Sequence, residues 1–390
     1  MPASHTQSQP LRRRLLLKSL LAAPVAGTAA AALSGCSKLE AKPRFRRPFS
    51  QQPFAAPRIG PDRVIRTVVG HRPYRPQGFV VRREQLDQKT VIHNYGHGGG
   101  GISLSWGSSA LAVREAAGLE RGKAAVLGSG IMGLTTARLL QEAGWSVTIY
   151  SRDPSRHAVS SVGAGQWAPT SVFEEGVASE AFIQQYQFAS RISHHAYQNL
   201  IGAGYGVSFV ENYYLLPEPR EHNYYLREMP ELFAAVADFG PGEHPFPTPY
   251  VTQTVTMLIQ PAQFLRRVKQ DFLLAGGHFV ARNFGTVSDV LALSEPAIFN
   301  CTGLGAGALF GDELLEPAKG QLVFILPDSR VDYLTVGGGS DVTYMFPRTG
   351  EIVLGGSFQR GDWSRNAEPA VTERILEDNR SVFERFERSV

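Results

Sequence analysis

Along the chain, apolar and polar positions change rhythm several times. Residues 123–127, KAAVL, form a short apolar run of the kind that makes a buried strand. From Ile131 to Gln141 the apolar residues recur at helical spacing, and VTIY (147–150) returns to strand character. Residues 261–274, PAQFLRRVKQDFLL, repeat the helical spacing. Gly276 and Gly277 then stop the helix, and a strand follows that is expected to end at Phe284. The aromatic and proline-rich stretch 211–230 has no helical period and predicts sheet and loops. Residues 91–95, VIHNY, begin as a strand and run into glycines at 96, 98, 99, 100 and 101, with a helix expected to start near Trp106. Glycine lets the main chain approach an anion or a flat ring closely, so this is a candidate cofactor loop.

The ends of these elements carry the chemistry. Between the strand 123–127 and its helix lies Gly128-Ser129-Gly130-Ile131-Met132-Gly133, a G-x-G-x-x-G turn between a strand and a helix. In that setting a pyrophosphate sits against the helix N-terminus, where free N–H groups and the helix dipole favour negative charge. The second strand continues as YSRD, so Arg152 precedes Asp153 where an acid for the adenosine ribose is expected. Arg152 by itself suits the 2′-phosphate of NADP. The segment 160–170, SSVGAGQWAPT, is small, hydroxylated and rich in glycine, and it suits a flat ring and phosphates laid along the backbone. It favours FAD, with Ser160, Ser161, Gly165 and Gln166 as contacts.

The chain's 390 residues allow two domains or one two-lobed unit, and its 43% hydrophobic and 19% charged residues are ordinary for a globular protein. The net charge of +4 is unevenly placed. Residues 1–83 hold sixteen Lys/Arg against Glu40 and Asp62, which leaves 23 bases and 33 acids in the remaining 307 residues. A basic start on an acidic body argues against a nucleic-acid surface. Residues 12–18, RRRLLLK, followed by an alanine-rich apolar stretch, have the layout of an export signal. Arg13 and Arg14 resemble a twin-arginine pattern, and LSGC (33–36) resembles a lipobox that makes Cys36 a lipid-anchored residue. Residues 1–36 are therefore expected to be a signal and 37–63 a tether. Cys36 and Cys301 are the only cysteines. With Cys36 lipidated no disulfide is available, and Cys301 is expected to be a buried small hydrophobe. No residues have metal-ligand spacing.

GSGIMGL, VGAGQWAP, FNCTGLGAGAL (299–309), YMFPRTGEIVLGG (344–356) and HNYGHGGGGISLSWG (93–107) together resemble the D-amino-acid oxidase family of FAD-dependent enzymes. The resemblance covers about residues 64–390 and implies an α/β fold with a Rossmann-type FAD-binding domain and a mainly β substrate domain. It places the FAD-binding domain at 77–172 and 258–324, and the substrate domain at 64–76, 173–257 and 325–390. The motif order departs from the family, where GxRPxRPQ and HNYGHGG close the chain. Here VGHRPYRPQ (69–77) and HNYGHGG come first, which resembles a circular permutation joined through GLERGK (118–123).

The resemblance also implies roles. Arg72 falls at the family's clamp for the substrate carboxylate, and a planar guanidinium suits a bidentate carboxylate better than lysine does. Tyr344 falls at a tyrosine whose hydroxyl meets the same carboxylate. Ser340 stands where the family often has a second tyrosine on a lid. The backbone carbonyl of Gly99 is implied for the substrate amine, and Gly98, Gly100, Gly101, Ile102 and Ser103 for the isoalloxazine. Thr302 and Phe284 are implied as further FAD contacts. No general base is implied, and His93, His97, His194 and His195 read as structural. The implied reaction turns a D-amino acid and dioxygen into a 2-oxo acid, ammonia and hydrogen peroxide. A quinone-linked dehydrogenase, an oxidase of glycine or N-methyl amines, and a silent flavin-binding module stay open, as does a homodimer.

Overall fold

The computed structural model describes residues 54–152, 159–161, 163–219, 221–339 and 343–384. The signal, Cys36, Asp153 and Ser340 lie outside them. The first three strands serve two different sheets. β1 (Val64–Tyr74) pairs far along the chain, whereas β2 (Val80–Leu86) and β3 (Lys89–Tyr95) form an antiparallel hairpin. α1 (Gly101–Glu115) follows, five residues earlier than the expected start at Trp106. Packing explains the difference, since Ser103, Ser105, Gly107, Ser108 and Ser109 are small and buried. A Cβ on Gly107 would lie 1.9 Å from the Ala189 carbonyl oxygen, so close contact with the next long helix holds this poorly helical sequence in place.

Next come β4 (Lys123–Leu127), α2 (Ile131–Glu142) and β5 (Ser146–Ser151), as the apolar pattern predicts. α3 (Glu180–Asn199) starts with Ser179 accepting a hydrogen bond from the Phe182 N–H, and it packs on α1 instead of adding to a mainly β lobe. β6 (Val207–Leu216), the short α4 (Tyr224–Glu228), β7 (Val236–Phe239) and β8 (Tyr250–Ile259) follow. Of these, α4 is a helical turn inside a stretch expected to hold only sheet and loops. α5 (Pro261–Leu274) has proline in its first turn, where the missing N–H costs nothing. β9 (His278–Ala281) stops three residues before Phe284. α6 (Val287–Leu291), β10 (Ala297–Asn300) and α7 (Gly305–Phe310) precede β11 (Glu316–Ile325), β12 (Tyr333–Gly337), β13 (Tyr344–Arg348), β14 (Glu351–Gly355), β15 (Gln359–Arg360) and α8 (Pro369–Glu384).

Two sheets result. The first has the order β2-β3-β10-β4-β5-β9, parallel except for β2 at its edge. The second runs β1-β11-β14-β13-β12-β6-β8-β7, with β15 also on β11, and every pair is antiparallel except β12 with β6. β11 therefore belongs to the antiparallel sheet, not with the FAD-binding residues expected to continue to 324. Residues 163–168 tie the two layers together. The Trp167 N–H donates to the Met257 carbonyl (2.7 Å), the Ile259 N–H to Gly165 (2.8 Å), and the Ser103 hydroxyl to Ala168 (3.0 Å).

One face of the antiparallel sheet is closed by apolar packing. Tyr213, Val323, Tyr333, Met345, Ile352 and Leu354 meet Ile375, Leu376, Val382 and Phe383 of α8 there. Buried Lys319 fastens the connection ahead of α8, with Asp362, Ser364 and Glu368 at 2.6–2.8 Å from its Nζ. Residues 54–63, expected to be loose tether, are instead held on this closed face. The Phe54 ring lies 4.9–5.2 Å from Tyr213, Phe246 and Tyr333, and the Tyr333 hydroxyl donates to Ala55 (2.8 Å). Arg63 reaches the carbonyls of Leu326 and Pro327. Phe54→Ala is expected to cost about 2 kcal/mol, below the value for a fully buried ring, and to lower Tm by a few degrees. A thermal melt unchanged to within a degree would show that this aromatic contact adds nothing.

Candidate active site

The opposite face of the antiparallel sheet turns toward the glycine-rich loops. Strand pairing places Val68, Leu322, Gly355 and Tyr344 opposite one another across four strands, and Arg72 lies on the same face of β1. Two glycines make room there. Gly70 and Gly320 are directly paired, and a Cβ on Gly320 would lie 2.9 Å from Nη2 of Arg72. A Cβ on Gly355 would come within 2.0 Å of the Tyr344 ring, so both side chains lie flat across positions with no side chain of their own. The Arg72 guanidinium over Gly320 and the Tyr344 ring over Gly355 lie on the same sheet face, close enough for the Arg72 charge to act on the phenol. Burial raises the Tyr344 pKa, the charges of Arg72 and Arg348 oppose that rise, and the group stays a protonated donor. Phe358 stands 5.8 Å from the Arg72 guanidinium.

The glycine loop forms a 3₁₀ turn over Gly98–Gly100 that leads into α1. Gly99 is exposed at its apex, with its N–H bound to the Ser171 carbonyl at 2.9 Å. Gly101 is in helical conformation, and no side chain caps the α1 N-terminus. Ile102 accepts from the Tyr197 hydroxyl, and the Ser103 side chain is spent on Gln166 and Ala168. His97 is buried and stacked on Phe79 at 4.6 Å, and burial pushes its pKa down to about 3. His93 is buried between Glu84 and Asn300, a neutral structural residue whose pKa is lowered by burial. Cys301 is buried, its thiol pushed up to about 12.

The dinucleotide turn lies at the C-terminal ends of β4 and β10. Gly128 has φ of +104°, and its Cβ would meet the Cys301 carbonyl oxygen at 2.5 Å. Gly133 meets the Gly128 carbonyl at 1.9 Å in the same test, so helix and strand close only on glycine. Gly130 is the N-cap of α2 and has no side-chain cap. Met132 packs against Gly101 and Ser108, which brings the uncapped start of α1 beside the same helix. Thr302 is oriented by Asn300 at 2.7 Å beside this turn. Ser129 pairs with Ser151, and Ser160 accepts from the Ile131 N–H at 3.3 Å. Ser161 is buried, Arg152 is exposed just past β5, and Phe284 packs on Tyr150 at 5.9 Å. Gly165 needs its φ of +100°, because a Cβ would lie 2.2 Å from the Ile259 carbonyl oxygen. Gln166 donates to the Tyr214 hydroxyl at 3.4 Å. Two helix starts with glycine at the N-cap, one of them with only the Ser160 hydroxyl at its first N–H, and a close backbone cradle fit an anionic dinucleotide with a flat ring.

Sequence reasoning missed Phe346 and Arg348. Strand alternation was the available signal, because Tyr344, Phe346 and Arg348 share one face of β13, with the first two rings stacked at 4.7 Å.

Comparison with known proteins agrees with this geometry. The sequence model of the family described as FAD dependent oxidoreductase matches residues 123–390. A D-amino-acid oxidase of Streptomyces coelicolor is 27% identical over 260 residues, covering 65% of this chain and 76% of that protein. A human D-aspartate oxidase is 26% identical over 266 residues, covering 66% and 75%. In fold, the chain is similar to a glycine oxidase from Geobacillus kaustophilus, with a TM-score of 0.53 at 14% identity over 69% of this chain and 80% of that one. A glycine oxidase from Bacillus cereus has a TM-score of 0.51 at 13% identity, over 67% and 77%. The dinucleotide cradle, the paired sheets and the extent of the family match lead to one assignment: this chain belongs to the FAD-dependent oxidoreductase family that includes the D-amino-acid oxidases.

Proposed function

We propose that the protein oxidises D-amino acids to 2-oxo acids with release of ammonia and hydrogen peroxide. The observation that carries the reading is the Arg72–Tyr344 pair, a cationic fork and a phenol donor lying side by side on the sheet face that the glycine loop approaches. Arg72 takes the substrate carboxylate through two charge-assisted hydrogen bonds, and the Tyr344 hydroxyl donates a third. The Gly99 carbonyl accepts from the amine, so two of the four substituents of the α-carbon are held and its hydrogen is directed. FAD, held along the glycine-rich cradle of Gly128–Gly133 and residues 98–103, would supply a hydride acceptor and pass the electrons to dioxygen. The amine reacts neutral, its lone pair completing the C=N bond as the hydride leaves. Water then hydrolyses the imino acid in solution. His97 is no effective base, because it is stacked on Phe79 and burial makes its ring only weakly basic.

Residues 64–115 supply Arg72 and the glycine loop from ahead of the matched family region, in keeping with a circular permutation. β1, β2 and β3 join sheets otherwise built from residues 123 onward, and α1 packs between α2 and α3. For location, the twin-arginine and lipobox patterns support export and anchoring at Cys36 to the periplasmic face of a bacterial membrane. Changing both Arg13 and Arg14 to lysine should hold the precursor in the cytoplasm, and Cys36→Ala should release the exported protein from membranes. Fully soluble unmodified protein in the periplasm would contradict the anchor.

Purified protein should be yellow and should yield FAD on denaturation. It should also consume oxygen and form peroxide with D- but not L-amino acids. Electron transfer to a quinone without peroxide would shift the reading to a dehydrogenase, and preference for glycine or sarcosine to an N-methyl or glycine oxidase. Bound FAD with no turnover would leave a binding module. Arg72→Ala should keep the flavin spectrum and lose two to three decades of kcat/KM, since breaking a desolvated ion pair costs about 3–5 kcal/mol. Arg72→Lys should recover little of that. Near-normal turnover by Arg72→Ala would show that β1 does not supply the clamp.

A further inference from the structure

Arg348 sits on the substrate-facing side of β13, two positions beyond Phe346 and four beyond Tyr344. Only 5% of its side chain is exposed. Its partners are few and distant. Nε reaches the Ala164 carbonyl at 3.3 Å, Nη1 reaches Glu351 at 3.4 Å, and Nη2 has no hydrogen-bond partner among the described residues. Glu351 is already committed, because its other oxygen holds Arg66 at 2.7 Å. Arg66 and Arg348 therefore share one carboxylate, and the more buried of the two has the weaker share.

The chain handles a purely structural buried cation differently. Lys319, 3% exposed, has three oxygen partners at 2.6–2.8 Å. A buried guanidinium left with an idle nitrogen is expensive unless a further anion reaches it. On this face Arg66, Arg72 and Arg348 stand against Glu351 alone among their ion-pair partners. One carboxylate at Arg72 leaves a positive charge at Arg348 unanswered. Arg72 and Arg348 lie on the same sheet face as Tyr344, and both charges act on its hydroxyl. The Tyr344–Phe346 ring stack lies along the strand between them. Ala164, which fixes Nε, belongs to the segment that carries Gly165 and Gln166 beside the cofactor cradle.

We propose that Arg348 is a second carboxylate clamp and that the preferred substrates are acidic D-amino acids, with a distal carboxylate one or two methylenes beyond the α-carbon. The assignment rests on the oxidase reading above: the α-carboxylate is held by Arg72 and Tyr344, and the distal one meets Nη2 of Arg348. The Gln166 amide and the Tyr214 hydroxyl are bonded to each other at 3.4 Å and do not compete for the charge.

The experiment uses the FAD-loaded full chain and compares kcat/KM for D-aspartate and D-glutamate with D-methionine and D-alanine. The unmodified protein should favour the acidic pair by about tenfold or more, and Arg348→Met should reduce that ratio by roughly 30-fold or more, mostly through KM. An unmodified protein that oxidises neutral D-amino acids without favouring acidic ones, or a ratio that Arg348→Met leaves within threefold, overturns the assignment while the oxidase reading stands. Absence of turnover with every D-amino acid overturns the oxidase reading instead. A binding measurement on the unmodified protein covers a variant that does not fold. Glutarate and malonate should perturb the flavin spectrum at concentrations about tenfold lower than butyrate and acetate. Equal binding of mono- and dicarboxylates refutes the second clamp. Loss of FAD from Arg348→Met together with equal binding assigns the guanidinium to the cofactor.

Discussion

Arg72 lies across a strip of sheet from which side chains have been removed, and much of the molecule serves that arrangement. Its guanidinium rests over Gly320, opposite Gly70, while the Tyr344 ring crosses Gly355 to reach it. A side chain at Gly320 or Gly355 would push one partner out of the plane, and the pair would lose its geometry before it lost its charge. Strands β1, β11, β14 and β13 must hold register for the four positions to coincide, since a one-residue slip would turn Arg72 to the closed face. That closed face, packed against α8 with sixteen buried residues in its cluster, gives the sheet its stiffness. Register is thus set by apolar packing on one side and used by polar chemistry on the other.

The second requirement is proximity between layers. In the proposed reaction a hydride moves only over a short distance, so the sheet proposed to hold the substrate must be fixed against the dinucleotide cradle. Residues 163–168 do this through main-chain bonds to β8 and a hydroxyl bond from Ser103. Gly107, Gly133 and Gly165 allow helix, strand and crossing segment to approach within distances that a Cβ would forbid. These contacts join residues far apart in sequence, and β1 pairs with β11 about 250 positions away. The closure entropy of such loops rises only slowly with their length, so a reordered chain can reach the same contacts at small cost.

Local chemistry was legible in the sequence, and tertiary placement was not. The G-x-G-x-x-G turn, the strands around it and the helix after it follow from a local pattern, and β4, α2 and β5 lie where that pattern puts them. The early start of α1 was hidden because glycine and serine are weak helix formers, and only the surface of α3 makes their small size an advantage. Residues 54–63 looked like linker because a lone phenylalanine gives no periodic signal, yet an aromatic socket awaits it across the fold. Arg348 was quoted inside a motif and passed over. A charged residue ending a strand is ordinary in sequence, and it becomes unusual only once burial and missing partners are seen together.

The position of Phe54 also bears on how the site meets its surroundings. This ring docks beside Tyr213 and Tyr333, on the face that α8 covers, whereas Arg72, Tyr344 and Arg348 occupy the opposite face. Phe54 is therefore held on the side of the sheet away from the proposed substrate face. A segment attached ahead of Phe54 can pull on the closed face, where the load falls on apolar packing and on the Tyr333 bond to Ala55, without reaching the register of the clamp. Had the chain entered at the glycine loop, the same segment would begin beside Gly99, where a shift of an ångström changes the reacting geometry. The fold thus keeps Phe54 on the face opposite Arg72, Tyr344 and Arg348 of one sheet.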